Sequence, residues 1–205
     1  MKKNKSSKSW IIQQHRDQYF KQAKSSGFRS RSAYKLLELN KKFKFFKNCN
    51  LVIDLGSYPG GWSQVLKKNL RNCEILAIDI KKMEKIEGVD FMCCDFLKEG
   101  SKDKIIKRLK NRADLLVSDM AADTTGNKDL DCIRTNALCA DVIEFSSSVI
   151  KSNGVVIAKL FNGKDFLEVK NLAENKFCKV NFFKPDSSRD YSKETYIHCA
   201  GIKTL

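Results

Sequence analysis

Several charged residues and one glycine-rich turn stand where chemistry could be done. Asp54-Leu-Gly-Ser-Tyr-Pro-Gly-Gly61 joins an apolar run to a helical pattern, and Asp79, Asp95 and Asp119 each close an apolar run of their own. A charge at the end of a buried strand costs free energy unless something uses it. One such aspartate is ordinary; three at successive strand ends, after a glycine turn, point to a ligand. The turn is neither G-x-G-x-x-G nor a P-loop, since Gly-Lys-Ser/Thr is missing. Asp79 lies 25 residues beyond Asp54, about where an acidic residue accepts hydrogen bonds from ribose hydroxyls in nucleotide-binding sheets. An acid just before the glycines suits S-adenosylmethionine, which carries an ammonium and a sulfonium, better than a pyrophosphate cofactor. Asp95 with Phe96 could read the adenine.

The residues after the fourth strand limit the acceptor. Amine methylation in nucleic acids commonly uses Asn/Asp-Pro-Pro-aromatic, but the chain has Asp119-Met-Ala-Ala122. Cytosine C5 chemistry needs Pro-Cys, but Pro59 and Pro185 precede Gly60 and Asp186. What remains at the strand ends is Asp119, and Lys159 inside Val155-Val-Ile-Ala-Lys-Leu-Phe161. An apolar strand should not carry an unpaired ammonium, so Lys159 is either used or snorkels from the strand end.

These residues need a frame. Apolar runs at 50–55, 74–79, 89–94, 114–118 and 154–160 read as strands. They alternate with helical patterns at 62–70, 102–111, 130–150 and 164–174, the third stopped by Asn153-Gly154. Two late β segments follow at 180–183 and 195–199. This is an α/β, Rossmann-like chain with a mostly parallel sheet and helices on both faces, and its ligand belongs at the carboxyl ends of the strands. Upstream, a helix from about Ser30 has an apolar face of Ala33, Leu36 and Leu37. Arg31, Lys35 and Glu38 share its other side, which simple solvation would explain.

The chain has 205 residues and a formal net charge of +15. Residues 1–47 hold 14 basic and 2 acidic side chains, the remainder 25 and 22. Such an excess fits a polyanion, although lysines outnumber arginines 31 to 8 and part of the charge reflects that bias. The reading is a basic N-terminal arm over 1–27, mobile at its start, and one domain over 28–205. No apolar run reaches membrane-spanning length, no signal-peptide core follows Met1, and a cytoplasmic protein is expected. The eight cysteines form no C-x-x-C pair, so no metal site is expected and they read as small buried hydrophobes.

Five ordered segments resemble the successive motifs of the FtsJ/RrmJ family of bacterial ribosomal RNA ribose 2′-O-methyltransferases. They are Arg29-Ser-Arg-Ser-Ala-Tyr-Lys-Leu-Leu-Glu38, Asp54-Leu-Gly-Ser-Tyr-Pro-Gly-Gly-Trp-Ser-Gln64, Ser118-Asp-Met-Ala121, Lys159-Leu-Phe-Asn-Gly163 and Ser192-Lys-Glu-Thr-Tyr196. The resemblance implies a catalytic tetrad at Lys35, Asp119, Lys159 and Glu194, and cofactor positions at Gly60, Trp62, Asp79, Asp95 and Asp119. It also implies methyl transfer from S-adenosylmethionine to a uridine 2′-hydroxyl in the A-loop of 23S rRNA, with the large ribosomal subunit as substrate; a monomer is expected. Ala122-Asp123 replaces the family's Pro-Asn, and Ser57-Tyr58 its frequent Ala-Ala. A tRNA ribose methyltransferase and a catalytically silent assembly factor on the same fold are the alternatives.

Overall fold

The computed structural model describes residues 17–203. Segments too apolar to leave either face in water, such as β1 (Leu51–Leu55) and β4 (Ala113–Ser118), become the inner strands of a seven-stranded sheet. Around them run α1 (Gln18–Ser25), α2 (Ser32–Phe43), α3 (Gly61–Asn69), β2 (Glu74–Asp79), β3 (Asp90–Cys93) and α4 (Ser101–Arg108). Then follow α5 (Lys128–Val149), β5 (Ile150–Phe161), α6 (Phe166–Lys176), β6 (Phe177–Phe183) and β7 (Glu194–Ile202). The strand order is β3-β2-β1-β4-β5-β7-β6. Only β7 runs against its neighbours.

Side chains alternate across the strands, so the sheet has two cores. Ile53, Leu55 and Leu116 pack with Val142, Ile143 and Val169 of α5 and α6. Val52, Leu115 and Val117 pack with Leu36 and Leu39 of α2 and Val65 and Leu66 of α3. The order of the strands switches sides between β1 and its parallel neighbour β4. That switch point opens a crevice at the strands' carboxyl ends, where the sequence had collected its aspartates. Among the described residues no helix is long and apolar enough to cross a membrane.

Two segments differ from the sequence reading. Asn153-Gly154 does not stop the long helix, which ends at Val149. β5 begins at once: Ala113 pairs with Ile150, the register then slips, and Leu115 pairs with Val155. The surplus residues 151–154 bulge, with Gly154 so close to the Lys151 carbonyl that a Cβ would lie 2.9 Å from it. The second difference is α1. It falls inside the basic arm, where the sequence suggested no element; it is capped by Asp17, whose Oδ1 accepts from the Phe20 N–H at 3.1 Å, and Ala23 is buried. Residues 1–16 of the arm lie outside the described residues. Cys73, Cys132, Cys139 and Cys199 are buried as expected, whereas Cys93 and Cys178 are exposed.

One carboxylate anchors the amino ends of the inner strands. Asp114 accepts the N–H groups of Asn50 and Leu51 at 2.8 and 3.1 Å, and the Lys151 ammonium at 2.5 Å. Burial disfavours its charge, but Lys151 and the two N–H groups outweigh burial and hold its pKa below the usual value. Asp114→Ala should lower unfolding free energy by about 1–3 kcal/mol. An unchanged urea midpoint would show that the clamp is idle.

Candidate active site

The cofactor side of the crevice is built by glycines. Gly56 ends β1 at φ +75°, and a Cβ there would sit 2.4 Å from Met120 Cγ. Only glycine lets the loop after β1 lie against the loop after β4. Gly60 adopts φ +110°, and a Cβ would meet Ile86 and Met83 of the β2–β3 loop at 2.8 and 2.9 Å. Arg29 fastens the turn after β1 and the first turn of α3 to the β2–β3 loop. Its guanidinium donates to the carbonyls of Pro59, Glu84 and Lys85, and its backbone N–H donates to Gln64.

The resulting cleft has a volume of about 630 Å³ and is lined by Gly56, Asp79, Asp95, Phe96, Asp119 and the 120–123 loop, among others. That volume lies in the range of small-molecule sites. Asp79 is fixed by the backbone: Oδ2 accepts from the Tyr58 N–H and Oδ1 from the Lys81 N–H, both at 2.8 Å. Each oxygen keeps a lone pair for a ribose hydroxyl. Asp95 accepts from the Leu97 N–H at 3.0 Å. Asp54 lies beneath the turn, fully buried; Oδ2 accepts from Ser63 Oγ at 2.6 Å, while Oδ1 has no partner among the described residues. Burial, only partly offset by Ser63, pushes its pKa up to about 7. An acidic, glycine-cradled cleft of this size fits a cationic nucleoside cofactor.

Gly60 and Trp62 stand at the start of α3, outside the residues that line the cleft. The Trp62 indole is buried; its Nε1–H donates to the Ser32 carbonyl at 2.8 Å and its ring packs 5.8 Å from that of Tyr196. Its side chain therefore braces α2 against the sheet.

Beside the cleft the structure brings Lys35, Asp119, Lys159 and Glu194 together. β5 and β7 pair Lys159 with Tyr196 and Phe161 with Glu194, so Lys159 and Glu194 are diagonal neighbours on one face, within reach of long side chains. The Lys159 ammonium lies 2.6 Å from Asp119 Oδ1 and 3.5 Å from Glu194 Oε2, and donates to the Asp119 carbonyl at 3.1 Å. Lys35, reaching from α2, lies 2.6 Å from Glu194 Oε1. Burial opposes the charge on Lys159, but Asp119 and Glu194 outweigh it and raise the pKa. Burial likewise opposes the charge on Glu194, yet Lys159 and Lys35 hold it well below the usual range. The raised pKa favours the ammonium form of Lys159 in the free protein.

Sequence reasoning missed the supports of this cluster. The Tyr196 hydroxyl donates to Asp119 Oδ1 at 2.6 Å, and the Ser188 hydroxyl to Glu194 Oε1 at 2.8 Å. Tyr196 stands two residues from Glu194 on a strand, hence on the same face, a signal that was available. Arg31 and Glu38 are engaged rather than merely solvated: Arg31 donates to the Ser187 carbonyl and pairs with Asp17, and Glu38 accepts the N–H groups of Asp186 and Ser187. One face of α2 thereby holds the 184–193 loop over the site.

A family model described as FtsJ-like methyltransferase matches residues 28–202. Ribosomal RNA large subunit methyltransferase E of Pelagibacter ubique is 44% identical over 199 residues, covering 97% of this chain and 98% of that protein. A solved chain described as a ribosomal RNA methyltransferase from Plasmodium falciparum superposes with a TM-score of 0.76 at 30% identity, covering 85% of this chain and 98% of its own. A Streptococcus mutans methyltransferase structure in complex with SAH shares the fold at a TM-score of 0.53 and 10% identity, covering 80% of this chain and 97% of its own. Fold and relatives together define a methyltransferase of the Rossmann-like class. The chain belongs to the FtsJ-like methyltransferase family.

The charge states set a pH expectation. Glu194, with its pKa depressed, contributes stability in full above about pH 4.3 and loses it as pH falls toward its folded value; Lys159, with its pKa raised, contributes in full below about pH 10.4 and loses it as pH rises through its folded value. Between those limits the network keeps its charges. The methyl-transfer rate should therefore show no Lys159 inflection below about pH 10, and any inflection near neutrality should vanish in Asp54→Asn. An inflection between about pH 7 and 9 that survives in Asp54→Asn would identify Lys159 as a neutral base.

Proposed function

We propose that this methyltransferase moves a methyl group from S-adenosylmethionine to the 2′-hydroxyl of a uridine in the A-loop of 23S rRNA. The substrate is the large ribosomal subunit, and the enzyme acts as a cytoplasmic monomer. The observation that carries the reading is the buried Lys159, held between Asp119 and Glu194 at the edge of the cleft. The 44% identity to a ribosomal RNA large subunit methyltransferase across nearly the whole chain supports the choice of RNA.

When bound, S-adenosylmethionine supplies a methyl group on a sulfonium, a good leaving group. The residues must then position a poor nucleophile and tolerate charge at its oxygen. Asp79 is placed to accept the cofactor's ribose hydroxyls, and Asp95 to meet the adenine edge. Gly60 and Trp62 open α3, whose first-turn N–H groups lack intrahelical acceptors, so their contribution is through the backbone. Lys159, being charged, donates a hydrogen bond that orients the 2′-oxygen rather than extracting its proton. Lys35 keeps Glu194 ionised, and Glu194 with Asp119 keeps Lys159 fixed. Once the oxygen bonds to the methyl group its proton becomes strongly acidic and passes to water, so no group in the site needs a pKa near neutrality for that step.

Lys159→Ala should lower turnover by at least ~10²–10³-fold with cofactor affinity, read by calorimetry, nearly unchanged. Substantial residual turnover would remove Lys159 from the chemistry. Mapping 2′-O-methyl groups in rRNA with and without the protein tests the substrate, and a methyl on tRNA alone would replace it. Residues 1–16 carry five basic and no acidic side chains. Deleting them, while sparing the Asp17 cap of α1, should make RNA binding less salt-dependent, because each phosphate contact adds roughly −0.7 to −0.9 to the salt slope. An identical slope would show that this charge does not touch RNA.

A further inference from the structure

A second groove, of about 550 Å³, shares no lining residue with the cofactor cleft. Asn162, Lys164, Phe166 and Leu167, which follow β5, form one part of it; Lys193, which precedes β7, and Asp129 in the first turn of α5 form the rest. It adjoins the ion network through the backbone. The Asn162 N–H donates to the Lys193 carbonyl at 2.9 Å, one step past the Phe161–Glu194 pair. At ~3.3 Å per strand residue, Asn162 stands roughly 10 Å beyond Lys159. The groove thus begins close to where an acceptor ribose must sit.

Its chemistry is mixed in a particular way. Leu167 is 62% exposed beside a half-buried Phe166, whereas Val169 and Ala173 on the same helix are buried. Lys164 is exposed and makes no ion pair among the described residues. Lys193 faces Asp129 at 3.7 Å with both side chains about half or more exposed. So long and wet a pair is worth little, and a phosphate can displace it. The exposed Asn162 amide offers a donor and an acceptor to a base edge. An apolar floor with lysines at its rim suits an unstacked nucleotide, since single-stranded RNA is bound by base faces on flat or apolar side chains and by phosphates on cations. A recessed lysine also requires the acceptor nucleotide to be drawn out of its strand, which needs a hold on its neighbour.

We propose that this groove is a nucleotide subsite that holds the single-stranded residue adjoining the methylated ribose. The base lies against Leu167 and Phe166, and the phosphate lies between Lys164 and Lys193. The inference rests on the reading of the protein as an RNA ribose methyltransferase, and the test separates the two. In the full-length protein, Lys164→Ala/Lys193→Ala should raise KM for large subunits roughly tenfold. It should make the salt slope shallower by about 1 and leave kcat and cofactor affinity nearly unchanged. Leu167→Ala should raise KM and Leu167→Trp, with a larger stacking face, should lower it, a gain that a merely structural residue would not give. Binding of a fluorescently labelled single-stranded oligouridylate should follow the same order. Unchanged KM, salt slope and oligouridylate binding in variants with wild-type melting temperatures would overturn the subsite. If the wild-type protein methylates no RNA, the functional reading falls, and oligouridylate binding alone decides the subsite: weaker in the lysine variant supports it, unchanged overturns it.

Discussion

A single ammonium with 9% of its side chain exposed organises this molecule. Lys159 sits in a strand whose neighbours are fully apolar, and an unpaired charge there would cost several kcal/mol or lose its proton. It keeps the proton because four parts of the chain converge on it. Asp119 comes from the end of β4, Glu194 from the start of β7, and Lys35 on α2 holds Glu194 from behind. Tyr196 and Ser188 satisfy further lone pairs of the two carboxylates. Each partner is costly to bury alone, and the set is tolerable only when complete. The polar contacts of α2 with the 184–193 loop follow from the same need, since the loop carries Ser188 and leads into Glu194.

Asp119 couples this network to the cofactor cleft, because it lines the cleft and holds Lys159. The close approach of Gly56 to Met120 places the β1 turn against the segment that starts at Asp119. A displacement of that turn is therefore felt by the lysine. Asp54 adds a buried acid at the base of the turn, with one oxygen unpartnered among the described residues. A cationic ligand above it would favour its ionised form.

Much of this was legible in the amino-acid sequence, because its signals were local. Apolar runs ending in Asp79, Asp95 and Asp119 announced a parallel sheet and its binding edge, and the structure places all three around one cleft. Lys159 stood out for the same reason: a charge in an apolar strand must be accounted for. Long-range relations were less visible. Composition makes the outer face of α2 look solvated, and nothing near Arg31 or Glu38 says that a loop some 150 residues later lies across them. Trp62 was implied by resemblance as a cofactor position, yet its indole turns into the core beneath Tyr196, a contact set by packing between α3 and β7. The start of β5 was misjudged because Asn153-Gly154 is a good helix stop by local rules, whereas pairing with Ala113 and the Asp114–Lys151 contact draw Ile150 into the sheet.

The central claim is that Lys159 acts as a fixed ammonium, and its protonation state can be read directly. In protein carrying nitrogen-15 lysine, with Lys159 assigned by Lys159→Arg, the Nζ resonance of this residue should keep its ammonium shift up to at least about pH 10, at or above a free lysine. A resonance that titrates below about pH 9 would contradict the account and return the lysine to the role of a neutral base.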